Sequence, residues 1–397
     1  LGGTLLGVEV IGSVILASKM NKLSSVKLDT DKLNISDEVK HEKGYTNVAL
    51  FGLDSRENDL GKGNRSDTII IASLNNDTKE VKLVSIYRDT LLELDDGSYN
   101  KANSAYSFGG PEGAVSLINR NLDMNIEHYV TVNFNALSDV VDALGGLDIE
   151  MTHTEAELTN GYFEEVAKVT GREFEMVDGY EGLIHVNGGQ ATAFCRIRYT
   201  QGDDFKRTER QRLVIEKIVE KLQSANLATI NKIIDDVFDE VGTNFTLPEI
   251  LSYAKDFKSY KLGETTGFPY NVSTGTLSGI GSTVIPTSLT SDVQQLHQFF
   301  FGDDGYTPSE TVQNIEAGIK KKATDVGKGT TKDNDSYYDD SSNSSSKGSS
   351  GSSSNKSSGA SSRGSGSGNS SGSGSSGGSK SDSGAGSGSG NSSSGSS

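Results

Sequence analysis

The chain has 397 residues, a formal net charge of −17 and one cysteine, Cys195. A single thiol excludes an internal disulfide framework and a thiolate metal site, and an acidic field of this size disfavours nucleic acid as a partner. Residues 333–397 are almost wholly Ser, Gly and Asn and contribute only −1 of the charge; so little apolar surface cannot offset the entropy of ordering.

In chain order, residues 1–17 read LGGTLLGVEVIGSVILA, apolar apart from Thr4 and Glu9. A membrane span needs roughly 20 apolar residues, so residues 1–18 are expected to be a transmembrane segment that is slightly short. The sequence starts without Met, and the span is expected to be truncated upstream. A buried core helix and a cleaved signal peptide are the alternatives, although no small-x-small cleavage site follows. Residues 19–44 are polar and charged and read as a stalk.

Residues 47–53 (NVALFGL) form a short apolar run ending at Asp54, the pattern of a buried strand. Residues 68–74 and 81–86 are β-branched runs joined by Asn75, Asn76, Asp77 and Thr78, which predicts a hairpin. A helix is predicted over 111–122, with Pro111 in its first turn, then a strand over 129–134. A helix over 136–144 is stopped by Gly145 and Gly146, and a strand follows over 147–151. Residues 190–196 read as a short helix. Residues 208–222 read as a longer one, with Leu213, Ile215, Ile218, Val219 and Leu222 on one face. Further helices are predicted over 228–238, 247–257 and 291–300, with Thr246 and Ser291 as N-caps. The alternation predicts an α/β protein: a single αβα sandwich domain over 45–302 with a central mixed β-sheet. A linker over 303–332 and a disordered tail over 333–397 follow.

Arginine is unevenly placed. Of eleven in the chain, five fall between Arg196 and Arg212, and Arg56, Arg65 and Arg88 stand at or just beyond strand ends. A planar guanidinium gives paired, charge-assisted bonds to phosphate oxygens, so an acidic protein that crowds arginines into two segments is expected to hold a multiply negative group. A surface helix with Glu209 and Glu216 as ion-pair partners would also collect arginines, but it leaves Arg196-x-Arg198 unexplained. Among these arginines stand Asp54, Asp67, Asp89 and Asp204. Carboxylates at strand ends with no His or Cys beside them suit a hard cation such as Mg²⁺, although turn and capping roles are common there. Asp54 and Asp67 flank a loop containing Gly61 and Gly63, so both can converge on one ion. Outside the Ser/Gly-rich tail the sequence has no Walker loop, Rossmann fingerprint, HExxH or G-x-S-x-G. A site outside the cell without a nucleotide loop must draw its energy from the donor itself, and a lipid-linked pyrophosphate is one such donor.

The strings Gly63-Asn-Arg-Ser-Asp-Thr68, Ser85-Ile-Tyr-Arg-Asp-Thr90 and Asn100-Lys-Ala-Asn-Ser-Ala-Tyr106 resemble the LytR–CpsA–Psr family. So do Arg196-Ile-Arg198 and Asp204-Phe-Lys-Arg-Thr-Glu-Arg-Gln-Arg212, and the likeness covers roughly residues 45–222. It implies a single-pass membrane protein of a Gram-positive bacterium with its catalytic domain on the extracytoplasmic face. The activity it implies is transfer of a glycopolymer, of teichoic acid or capsule type, from polyprenyl pyrophosphate onto peptidoglycan. By position, Asp54 and Asp67 match the family's aspartates for Mg²⁺ (or Mn²⁺). Arg65, Arg88, Arg196, Arg198, Arg207 and Arg210 match its pyrophosphate-holding arginines, and Lys101 matches a lysine of the same pocket. Tyr87 stands where the family usually has proline, and Lys206 where it has glycine. In the reaction so implied, Arg88 neutralises phosphate charge while Asp89 or Asp204 takes the proton of the attacking sugar hydroxyl. The prenyl tail is expected in an apolar slot between the sheet and the helices at 114–122 and 213–222. A non-catalytic membrane-anchored protein that senses polyprenyl-phosphate lipids is the alternative function, and a transcription regulator is disfavoured by the acidity.

Overall fold

The computed structural model describes residues 27–35, 44–53, 60–198 and 203–327. The expected membrane segment, the tail expected to be disordered and Asp54 lie outside them. Among the described residues no helix is long and apolar enough to cross a membrane.

Strands β1 (Tyr45–Leu53), β2 (Ser66–Asn75), β3 (Glu80–Ile86), β4 (Leu91–Glu93) and β5 (Tyr99–Lys101) come first, followed by helix α1 (Ser104–Leu122). Next are β6 (His128–Asn133), α2 (Phe134–Ala143), β7 (Leu147–Met151), α3 (His153–Thr170), β8 (Gly182–Val186), α4 (Gly188–Arg196), α5 (Asp203–Ser224) and α6 (Leu227–Val237). The last elements are β9 (Val241–Thr243), α7 (Leu247–Lys255), β10 (Lys261–Phe268), β11 (Val272–Leu277), β12 (Gly281–Pro286), α8 (Leu289–Phe301) and α9 (Glu310–Ala323). A six-stranded sheet runs β10-β3-β2-β1-β6-β9. It is mixed: β1–β2, β2–β3 and β6–β9 pair antiparallel, β1–β6 and β10–β3 parallel. The architecture is therefore α/β with a central mixed sheet, as the alternation of patterns predicts.

Burial along β1 alternates, because successive side chains leave opposite faces of a strand. Ala49, Phe51 and Leu53 point into the main core, where they meet Ile69, Ile71, Val84 and Ile86 from the neighbouring strands and apolar residues of α1, α8 and α9. Leu50 and Gly52 point the other way and are only partly covered. The run over 47–53 reads as a strand buried on both faces; the structure buries one face in a closed core and turns the other toward a cavity. Helix α1 bends at Gly110, whose φ of 66° and ψ of −155° suit a residue without a Cβ. Pro111 then restarts the helix at the position the sequence marks.

Two expected boundaries are corrected. Residues 303–332 are not simply a linker, because α9 buries Val312, Ile315 and Ile319, one face of a helix, in the main core. Ser309 caps it, accepting from the Val312 N–H at 3.2 Å and donating to Asp123 Oδ1 at 2.7 Å. Within the expected stalk, Leu33 is fully buried in the same core and its carbonyl accepts from Asn119 Nδ2 at 3.0 Å. Both segments are short and polar-flanked, so neither carries enough periodicity to stand out. Helix α3 and strand β8 escape the sequence reading for a similar reason, although Thr152-x-x-Glu155 is a capping box that marks the start of α3.

If α9 belongs to the domain, Ile315→Ala should cost about 2–4 kcal/mol of unfolding free energy in urea. A loss below about 0.5 kcal/mol, the level of a surface substitution, would put the linker reading back in place.

Candidate pyrophosphate site

The β2–β3 hairpin pairs Ile70 with Ser85. Continuing that register by three residues sets Asp67 opposite Arg88, and the two side chains meet at 2.7 Å between Asp67 Oδ1 and Arg88 Nη1. The other oxygen of Asp67 accepts from Arg198 Nη2 at 3.2 Å, and its carbonyl accepts from Arg207 Nη2 at 3.4 Å. Arg198 lies two residues past the end of α4, and Arg207 sits in the first turns of α5. The two arginine-bearing stretches of the sequence thus meet in one place.

Asp204, one turn before Arg207 on α5, forms an ion pair with Arg207 Nη2 at 2.6 Å and lies 3.5 Å from Arg88 Nε. Asp89 flanks Arg88 at 3.5 Å and pairs with Lys101 Nζ at 3.2 Å. The electrostatics divide the aspartates. Burial pushes the Asp67 carboxyl up, but Arg88, Arg207 and Arg198 together outweigh it and hold the group below the usual carboxylate range. For Asp204 burial wins over Arg207 and Arg88, and the carboxyl is raised. Burial alone would ease the proton off Arg88, yet Asp67, Asp89 and Asp204 hold it on more tightly than usual. Arg207 is lowered, first by burial and then by its neighbour Arg88. It is 1% exposed, and its Nε and Nη1, like Asp204 Oδ2, are buried without a hydrogen-bond partner. Such unpaired groups are costly, and they mark where the site still has bonds to give.

The remaining expected residues are placed differently. Arg196 stacks its guanidinium over the Phe134 ring at 4.7 Å and reaches Glu165 at 3.5 Å. Arg65 is exposed just before β2. Arg210 is buried, bonding Glu155 at 2.9 Å and the Ile197 carbonyl at 3.1 Å, so it braces α5 against α3 and the end of α4. Of the two departures from the family pattern, Tyr87 packs edge-on to Phe205 with ring centroids 4.5 Å apart, and Lys206 pairs with Glu209 at the surface. Both leave the charged cluster intact.

Asp67, Arg196, Arg198 and Arg207 also line a cavity of about 740 Å³. Its other walls are mainly apolar: Leu50, Ile70, Val130 and Val132 from the sheet, Leu158 and Tyr162 from α3, Val214 and Ile215 from α5. A slot between the sheet and the helix at 213–222 is therefore present. The helix at 114–122 is not its other wall, because α1 is committed to the closed core on the opposite face. That role falls to α2 and α3. Gln211, which lines the cavity with a buried and unpartnered Oε1, is a further polar group that sequence reasoning missed, since an uncharged amide between Arg210 and Arg212 carries no signal of its own.

For a divalent cation the donor chemistry fits in kind. Asp67 offers oxygen only, and Leu53, the residue before Asp54, pairs in register with Ser66, the residue before Asp67. Among the described residues no three acidic, His or Cys side chains converge as a complete cation cage, so Asp67 would need Asp54 or ligand oxygens to complete one.

A profile of the LytR_cpsA_psr family matches residues 12–295. The chain is 33% identical over 218 residues to a polyisoprenyl-teichoic acid–peptidoglycan teichoic acid transferase TagU of Enterococcus faecalis, covering 53% of this chain and 65% of that protein. It is 32% identical over 266 residues to a TagU of Bacillus cereus, covering 64% and 81%. Among solved structures, TagT bound to LI-WTA superposes with a TM-score of 0.54 at 21% identity, covering 71% of this chain and all of that one, a likeness of fold. B. subtilis TagV gives 0.50 at 25% identity, covering 67% and 99%.

Inorganic pyrophosphate at a hundredfold excess over its Kd should raise the unfolding midpoint by about 5 °C, read by differential scanning fluorimetry. Arg198→Ala, at a partly exposed position, should remove most of that shift; an unchanged shift would place the anion elsewhere.

Proposed function

We propose that this chain, which belongs to the LytR–CpsA–Psr family, is an extracytoplasmic phosphotransferase that moves a glycopolymer of teichoic acid type from polyprenyl pyrophosphate onto peptidoglycan. The observation that carries the reading is one mainly apolar cavity whose wall also holds Arg196, Arg198 and Arg207. A prenyl tail in the apolar body is stabilised by about 25 cal/mol per Å² of surface removed from water, and the pyrophosphate then lies at Arg198 and Arg207. The relatives' names support the donor and acceptor classes. The apolar run over 1–17 supports a single-pass anchor in the cell membrane.

The hydroxyl oxygen of the acceptor sugar attacks the phosphorus nearest the glycopolymer. A new P–O bond forms, the bond to the bridging oxygen breaks, and polyprenyl phosphate leaves. Arg88, Arg198 and Arg207 face the charge that grows on both phosphates, and they are held there before substrate arrives, so little reorganisation is needed. Arg207 Nε and Nη1, unpartnered and buried, donate to phosphate oxygens. Lys101, tied to Asp89, adds a point charge at the rim. A Mg²⁺ ion held by Asp67 and Asp54 would supply further neutralisation of the donor phosphates.

Between the two candidate bases, the geometry favours Asp204. Asp89 stands in ion pairs with Lys101 at 3.2 Å and Arg88 at 3.5 Å, whereas Asp204 has a buried oxygen without a hydrogen-bond partner. Burial also raises the Asp204 carboxyl, which makes its anion the better proton acceptor. Asp89 then holds Arg88 and Lys101 in place.

Transfer of polymer from a lipid-linked donor to peptidoglycan fragments, followed on gels, tests the reading. Asp204→Asn should lower kcat by about 10²- to 10⁴-fold with the pyrophosphate-induced midpoint shift retained. In the native protein the rate should fall as pH drops through a value above the ordinary carboxylate range, since the acceptor must be deprotonated and its carboxyl is raised. No product from the native protein with either teichoic acid or capsule donors would overturn the assignment.

A further inference from the structure

The described residues expose few large apolar side chains, and most of those cluster. Phe174 (44% exposed), Met176 (64%), Tyr180 (78%) and Leu183 (70%) fall within ten residues of sequence. The segment between α3 and β8 that carries the first three is held in place. It runs back along α3: Phe174 lies 5.4 Å from the Phe163 ring, the Val177 N–H donates to Asn160 Oδ1 at 2.9 Å, and Tyr180 stands 6.1 Å from His153. Val177 is buried, and Gln190 Nε2 donates to the Glu175 carbonyl at 2.9 Å. A pinned backbone that presents aromatic and apolar groups to water marks an interaction surface.

Charge narrows the partner. Glu173, Glu175, Asp178 and Glu181 lie on the same segment, all exposed. Arg172 is committed to Asp139 and Asp142, and Lys168 to Glu164. This ledge repels an anionic membrane surface and equally a phosphate-bearing polymer. It suits a neutral sugar chain, whose C–H faces pack on aromatic rings and whose hydroxyls donate to carboxylates. The ledge and the cavity share helix α3, one on each side of it. The other side of α3 walls the cavity through Leu158 and Tyr162, and Glu155, two residues from His153, bonds Arg210 one turn beyond Arg207.

We infer that the Phe174–Leu183 ledge is the docking surface for the acceptor, the glycan strand of peptidoglycan, and that it keeps the acceptor apart from the anionic donor polymer. The inference rests on the transferase reading above. The test uses the full chain with Tyr180→Ala, Tyr180→Phe and a Met176→Ser/Leu183→Ser double variant, assayed with graded concentrations of soluble peptidoglycan fragments. Tyr180→Ala should raise the apparent KM for acceptor about fivefold, with kcat at saturation and the pyrophosphate-induced midpoint shift unchanged. The double variant should behave alike, and Tyr180→Phe should restore the native KM. An unchanged acceptor KM in both Tyr180→Ala and the double variant overturns the inference. So does a defect seen only when the donor is presented in vesicles rather than detergent, which would make the ledge a lipid contact. If the native protein makes no product, the transferase reading fails instead. Co-sedimentation with isolated peptidoglycan then still decides the ledge: binding lost in Tyr180→Ala supports it, and equal binding sinks it.

Discussion

Three guanidinium groups, those of Arg88, Arg198 and Arg207, share one poorly solvated corner around Asp67 and Asp204. Like charges so placed repel strongly where water is scarce. The carboxylates hold them together, and the unused donors on Arg207 leave the cluster short of negative charge. The rest of the molecule serves this arrangement. The hairpin register puts Asp67 opposite Arg88, the end of α4 delivers Arg198, and the first turns of α5 deliver Asp204 and Arg207 together. With Lys101 and Asp89 counted, four cationic groups face three carboxylates, so the cluster suits a ligand that brings anionic oxygens.

The sheet makes the arrangement possible by having two unlike faces. One is sealed by α1, α8 and α9 over a continuous apolar core. The other carries a second layer, in which α4 comes so close to α2 that a Cβ on Gly188 would lie 2.0 Å from the Ser138 carbonyl oxygen. Between that layer and the strands the packing is incomplete, and the cavity is the result. The closed face gives rigidity, and the open face gives the binding volume.

Much of this was legible in the sequence, and the reasons for the remainder are physical. The hairpin over 68–86 was legible from its β-branched runs and the turn residues between them, but its register, which pairs Leu74 with Val81 and so sets Asp67 opposite Arg88, was not. The concentration of arginines over 196–212 pointed to an anion, and the structure brings Arg198 and Arg207 to Asp67. It could not be read that Arg210, one turn further on, would face Glu155 instead, because helix phase relative to a distant element is a tertiary property. Nor could periodicity separate Leu50 and Val130, which face a cavity, from Phe51 and Tyr129, which face the core. Both sets are apolar residues on alternating strands, and only the layer opposite decides their surroundings. Helix α9 and Leu33 were hidden because a short segment with three or fewer apolar anchors looks like a linker until its docking site is known.

The cavity's walls are chemically unlike, apolar along most of the lining and cationic where Arg198 and Arg207 meet Asp67, and this gives an amphiphilic occupant a direction. An amphiphile entering head first would strand its phosphates among Leu50, Val130 and Ile215 and leave hydrocarbon beside guanidinium groups. Desolvating charge in that way costs far more than the apolar contacts return. Occupancy is therefore vectorial. In the proposed reading the hydrocarbon of the donor lies along the apolar walls and its phosphates lie against Arg198 and Arg207, in the same sense on every turnover.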